Sequence, residues 1–293
     1  MRGGHRARRS DDDLARLRYA AGGPVDPARS LFGPDSVTWR VNREAALLLG
    51  GGRALLLQIA HPLVAAAVAE HSRFEHAPLQ RLWRTLDLTL TTVFGSAADA
   101  LAAVRQVERV HRRVRGVLAE DVGPFRRGTR YDASDPALLF WVHATLVDSA
   151  LLAYEQFVDR LSAGERAALY EESKISARLF AIPAAVIPPT LTAFRAYMRD
   201  MLAGPRLAVG PASRAIAAAL LSPPLPFGLR QIAGSTRLFT IGLLPPGIRR
   251  RYGYAWTSTH ARALRLLSAA IRAGLPVLPR LARDFPHARR AAR

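Results

Sequence analysis

Apolar residues recur along most of the chain with the spacing of a helix, and strict period-2 alternation is scarce. The pattern predicts helical segments at about 40–49, 53–70, 79–93, 96–119, 135–160, 163–180, 190–203, 211–221, 225–240, 246–252 and 254–274. Turn chemistry separates them, at Gly33–Pro34, Gly95–Ser96, Gly123–Pro124, Pro188–Pro189, Gly204–Pro205, Pro223–Pro224 and Pro245–Pro246. Asp35 or Ser36 is placed to cap the first helix. With no internal repeat and no low-complexity linker, the expectation is an all-α protein: one globin-like domain of about ten helices over 31–275. A flexible basic N-terminal arm over 1–30 and a basic C-terminal tail over 276–293 would flank it.

The 45–69 stretch is apolar enough to imitate a membrane span, but Gly50–Gly51–Gly52, Arg53, Gln58, His61 and Pro62 would be costly in hydrocarbon. A buried helix pair explains it better. The N-terminal arginines run into Asp11–Asp12–Asp13 with no apolar segment behind them, so a secretory signal is not expected and a cytoplasmic location is. Peripheral membrane contact through the arginines and the oligomeric state are both left open.

Two histidines break the apolar faces. Val104, Val107, His111, Val114 and Leu118 fall on one stripe of the 96–119 segment, with arginines elsewhere around it. Leu139, His143, Leu146 and Ala150 align in the same way in a helix that is apolar nearly all round. Each is read as either a core histidine bonded to a carbonyl or carboxylate, or a ligand. Arg81 and Thr85 share a helix face at i, i+4 and would suit a carboxylate, such as a haem propionate or an acidic substrate. The plainer alternative is an arginine reaching solvent and a threonine bonded to its own backbone.

Composition narrows the chemistry. The 293 residues contain no cysteine, which excludes disulfides, thiolate metal sites and cysteine catalysis, so any iron must be held by histidine, carboxylate or a cofactor. The formal net charge is +19, but Lys174 is the only lysine, and the arginines are spread from Arg2 to Arg293. A dispersed charge of this kind reads as a solvated surface before it reads as a nucleic-acid face. Glu108 and His111 form a single Glu-x-x-His; a di-iron bundle needs two copies. His71 and His76, at i, i+5, do not share a helix face, and there is no zinc-protease, phosphate-loop, dinucleotide or Gly-x-Ser-x-Gly motif.

A longer set of strings carries a resemblance: Gly33-Pro-Asp-Ser-Val-Thr-Trp-Arg-Val, Leu-Leu-Gln-Ile-Ala-His61-Pro, Val-Ala-Glu70-His71-Ser, Arg81-Leu-Trp-Arg-Thr85, Val-Phe94-Gly95 and Val110-His111-Arg-Arg-Val-Arg-Gly116. Trp141-Val-His143-Ala-Thr, Phe180-Ala-Ile-Pro183, Tyr197-Met and Leu-Pro245-Pro-Gly-Ile-Arg-Arg-Arg-Tyr252-Gly continue it. In this order, over roughly 31–275, they resemble the family of the bacterial latex-clearing rubber oxygenases and the fungal mycophenolic-acid-pathway oxygenase. The resemblance implies a helical, globin-like core with one haem b and an oxygenase using dioxygen on an apolar or olefinic small molecule. It also implies His111 as the axial iron ligand, with His143 as runner-up, and Arg81 and Thr85 lining the haem pocket near a propionate or the oxygen-binding side. The other readings are a haem or apolar-ligand binding protein without turnover, and an arginine-rich binder of nucleic acid or a membrane surface.

Overall fold

The periodic segments fold as helices, described over residues 2–71, 78–222 and 230–292 of a computed structural model. In chain order they are α1 (Arg2–Ala21), α2 (Val37–Asn42), α3 (Leu48–Ile59), α4 (Pro62–His71), α5 (Pro78–Phe94) and α6 (Ala97–His111). A short antiparallel pair follows, β1 (Arg115–Val117) with β2 (Arg130–Asp132), in which Gly116 faces Tyr131. The helices resume as α7 (Pro136–Phe157), α8 (Ala163–Leu179), α9 (Leu191–Ala203), α10 (Pro211–Leu221) and α11 (Arg230–Gly242). The last four are α12 (Pro246–Arg251), α13 (Ser258–Gly274), α14 (Arg280–Arg283) and α15 (Pro286–Ala291). The fold is all-α, as the periodicity implies, although it is divided into more and shorter helices than ten.

Local chemistry sets the starts. The Ser36 side chain accepts a hydrogen bond from the Trp39 amide and caps α2. Ser96 with Asp99, and Ser162 with Glu165, form reciprocal capping boxes on α6 and α8. Asp135 caps α7, whose first residue is Pro136. Part of the segment expected at 225–240 lies outside the described residues, and α11 occupies the rest.

Two expected helices are shorter than the pattern suggests. The 53–70 segment breaks at His61, and the helical path on either side turns by 103°. Pro62 cannot donate an amide, so α4 must start there. The buried carbonyl end of α3 is satisfied by side chains from three other parts of the chain. Tyr252 donates to the Leu56 carbonyl at 2.7 Å, Ser213 to that of Ile59 at 2.7 Å, and Trp141 more weakly to that of Gln58 at 3.4 Å. The 96–119 segment ends at His111, where the chain turns through Arg112 and Arg113 into β1. Val114 and Leu118 therefore do not extend a helical stripe through His111. Arg109, Arg112 and Arg113 crowd the carbonyl end of α6, where positive charge suits the helix dipole.

The core is built on α3, which lies between α7 and α11. Its glycines make this approach close: a Cβ at Gly50 would stand 2.8 Å from that of Ala153, and one at Gly52 would stand 2.2 Å from the Thr240 hydroxyl oxygen. Arg53, 4% exposed, is held at the centre by the Leu243 carbonyl (2.9 Å), Ser149 (2.6 Å) and Asp148 (2.5 Å). Among the described residues, α7 is the helix that is by itself long and apolar enough to cross a bilayer. It packs in the core through Phe140, Trp141, Ala144, Ala153 and Phe157.

The ends of the chain also pack. Leu17 and Ala20 of α1 are buried against Leu101, Val104 and Leu179, and Arg16 pairs with Glu108 and bonds the Leu179 carbonyl. At the other end, Phe285 and Ala288 close an aromatic cluster with Phe32, Trp39, Leu90 and Phe94.

Candidate functional site

Helices α5 and α6 form an antiparallel pair joined by the tight Gly95–Ser96 turn, where a Cβ on Gly95 would meet the Thr91 carbonyl oxygen at 2.6 Å. The ends remote from this turn carry Arg81 in the first turn of α5 and His111 as the last residue of α6, so both lie at one end of the pair. The Arg81 side chain lies outside the described residues. Thr85 is exposed, and His111 is partly buried. Large apolar side chains stay exposed at this end of the pair and on the strand beyond it: Trp83 at 61%, Val110 at 56% and Val117 at 50%.

The β-hairpin locks α4 to this region. Tyr131, 4% exposed, donates its hydroxyl hydrogen to Glu70. The His71 Nε2 stands 3.2 Å from the Tyr131 hydroxyl oxygen and 3.2 Å from the Arg115 carbonyl oxygen. A carbonyl can only accept, so Nε2 carries the hydrogen in that bond. Burial, reinforced by Glu70, pushes the Tyr131 phenol well above its ordinary pKa and keeps it protonated. Gly116 makes room for the ring, since a Cβ there would fall 2.3 Å from the Tyr131 oxygen. The sequence strings contain Glu70 and His71 but gave no hint of Tyr131; an isolated glycine opposite an aromatic was the available signal.

His143 belongs to a different layer. It lies on α7, which packs on α3, α8 and α13, whereas α6 packs on α5 and α1. Its ring is 6.1 Å from that of Phe140, which meets Tyr197 of α9 edge-on at 5.0 Å. Loss of hydration lowers the His143 pKa to about 4, so the imidazole is neutral at pH 7, and burial pushes Tyr197 up to about 12.

A third histidine, which the sequence marks only as costly in a membrane, sits at the α3–α4 corner. His61 is 5% exposed, packs at 5.2 Å from Phe125, and has a buried Nδ1 with no hydrogen-bond partner. Burial first, and the charge of Arg206 second, lower its pKa to about 4 against the opposing effect of Asp135. Among the described residues, no group of three or more His, Asp or Glu side chains converges on a metal-sized site.

Comparison with known proteins agrees with the geometry of this helical core. Two curated relatives are uncharacterised proteins, one from Mycobacterium bovis and one from Mycobacterium tuberculosis. Each is 26% identical over 239 residues, covering 79% of this chain and 89% of its own length. No solved structure matches the chain. The model of the catalytic domain of the ER-bound oxygenase mpaB/B′ and rubber oxygenase matches residues 39–273, most of the chain and all of the helices from α3 to α12, and the protein belongs to that oxygenase family.

Proposed function

We propose that the protein is a haem b-dependent oxygenase acting with dioxygen on an apolar or olefinic small molecule. The observation that carries this reading is the setting of His111 on an oxygenase-family domain. A partly buried imidazole ends α6, and exposed Trp83, Val110 and Val117 around that end offer an apolar macrocycle a surface to cover. The residues fit such a group: it asks for one neutral imidazole, apolar walls and a cation for its carboxylates. When bound, haem iron supplies dioxygen binding and the redox chemistry.

The chain's own residues supply the rest. His111 would hold the iron. Arg81 and Thr85, on the first turns of α5, would line the pocket and hold a carboxylate of the group. Tyr131, locked by Glu70 and His71, fixes the hairpin that follows His111 and so sets the direction from which α6 presents its last residue. His143 is the alternative ligand, because its neutral ring lies among apolar side chains of α7.

The test is the visible spectrum of protein produced with haem supplementation. A Soret band that disappears or shifts in His111→Ala and persists in His143→Ala supports the assignment. The reverse pattern moves the ligand to α7, and no Soret band in the wild type ends the haem reading. Oxygen uptake with apolar olefins then separates an oxygenase from a carrier of the same ligand.

A further inference from the structure

Ten large apolar side chains are exposed among the described residues, and five of them fall between positions 266 and 281. They are Leu266 (65%), Leu267 (40%), Val277 (82%), Leu278 (46%) and Leu281 (74%). Packing explains why α13 leaves this face free. Its inner side lies on α7 and α11 and carries buried Ser268 and half-buried Leu264 and Ile271. Positions 262, 266, 269, 273 and 277 follow at helical spacing along the outer side, since the turn Leu275–Val277 continues α13 directly. The segment from 257 to 283 contains no Asp or Glu but five arginines: Arg262, Arg265, Arg272, Arg280 and Arg283. Arg283 is taken by Glu44, while Arg262, Arg265 and Arg280 are exposed beside the leucines.

We infer that this face docks on an anionic lipid surface, with Leu266, Val277 and Leu281 entering the acyl boundary and Arg262, Arg265 and Arg280 meeting the headgroups. The charge pattern selects the occupant. A second copy of the chain packed face to face would set arginine against arginine with no acid to pair them, whereas an anionic bilayer complements every cation on the patch. Apolar burial and positive charge each add to such binding, and the two are present together here. This inference does not rest on the oxygenase reading and needs no cofactor.

Co-sedimentation of the full chain with vesicles tests it. Wild type should bind phosphatidylcholine vesicles containing phosphatidylglycerol and bind pure phosphatidylcholine far more weakly. The variant Leu266→Gln/Val277→Gln/Leu281→Gln keeps the net charge and should bind the mixed vesicles roughly tenfold more weakly. The control Tyr19→Gln/Leu48→Gln, which alters exposed apolar side chains elsewhere, should bind as wild type. Equal binding by the triple variant would mean that the overall charge of +19 alone drives adsorption, and would overturn the proposal. So would a wild type that forms dimers lost in the triple variant and ignores both vesicles. Should the triple variant lose its helical circular dichroism, Val277→Trp gives an independent reading. Its added emission should be quenched by vesicles carrying brominated acyl chains, and unquenched emission would equally overturn the proposal.

Discussion

At the α3–α4 corner, burial and the nearby Arg206 charge disfavour protonation of His61, and its pKa falls from 6.5 to about 4. The unfolded chain takes up a proton below pH 6.5 that the folded chain refuses. This ring therefore contributes its full stability above about pH 6.5 and loses it as the pH falls towards 4. The loss is on the order of 3 kcal/mol across that window. In denaturant titrations between pH 7 and pH 4, His61→Leu should show a flatter stability profile than wild type. Parallel profiles would show that His61 does not refuse the proton. The sequence pattern singled out His111 and His143 because each interrupts an apolar stripe. It marks His61 only as costly in a membrane and as part of one family string, because its burial arises from Phe125 and other residues distant in sequence.

Helix α3 shows how single positions become an element's constraint. Gly50 and Gly52 let α7 and α11 approach on two sides, and the guanidinium of Arg53 then ties Leu243, Ser149 and Asp148 together in the space between. Arg53→Met should destabilise the protein by about 3–5 kcal/mol, because it leaves buried acceptors unpaired. A Gly52→Ala change drives a methyl group against Thr240 and should cost about 1–3 kcal/mol. Chemical denaturation reads both, and a change under ~0.5 kcal/mol in either would remove α3 from the centre of the core. Elements of this kind were legible: the segments expected at 163–180, 190–203 and 211–221 match α8, α9 and α10 closely. The 96–119 segment was not, because β1 exists only through pairing with β2, thirteen residues beyond Val117. No local periodicity announces a partner that arrives after a loop.

Across the whole molecule the two termini, expected as an arm and a tail, each cover part of the core. Arginine dominates both and makes them look uniformly polar, yet Leu17, Ala20, Phe285 and Ala288 are buried. The C-terminal case is the sharper one. Phe285 packs with Phe32, Trp39, Leu90 and Phe94, and the amide of Phe285 donates to the Arg43 carbonyl at 2.8 Å. Two residues earlier, Arg283 neutralises Glu44, a carboxylate only 1% exposed. Deleting residues 280–293 would uncover an aromatic cluster at the N-terminal side of the domain and leave Glu44 with only the longer 3.6 Å contact to Arg43. Losing a buried phenylalanine alone costs about 3–5 kcal/mol, which for a chain of this size lowers the melting temperature by about 5–8 °C. The truncated protein should therefore melt at least that much lower than full length in a calorimetric scan, and Phe285→Ala should account for most of the drop. A dispensable tail predicts the opposite: an unchanged melting temperature, with Phe285→Ala indistinguishable from wild type. Since the C-terminal end packs on the helix that bears Trp39, the same scan decides whether the oxygenase-family core can be studied without it.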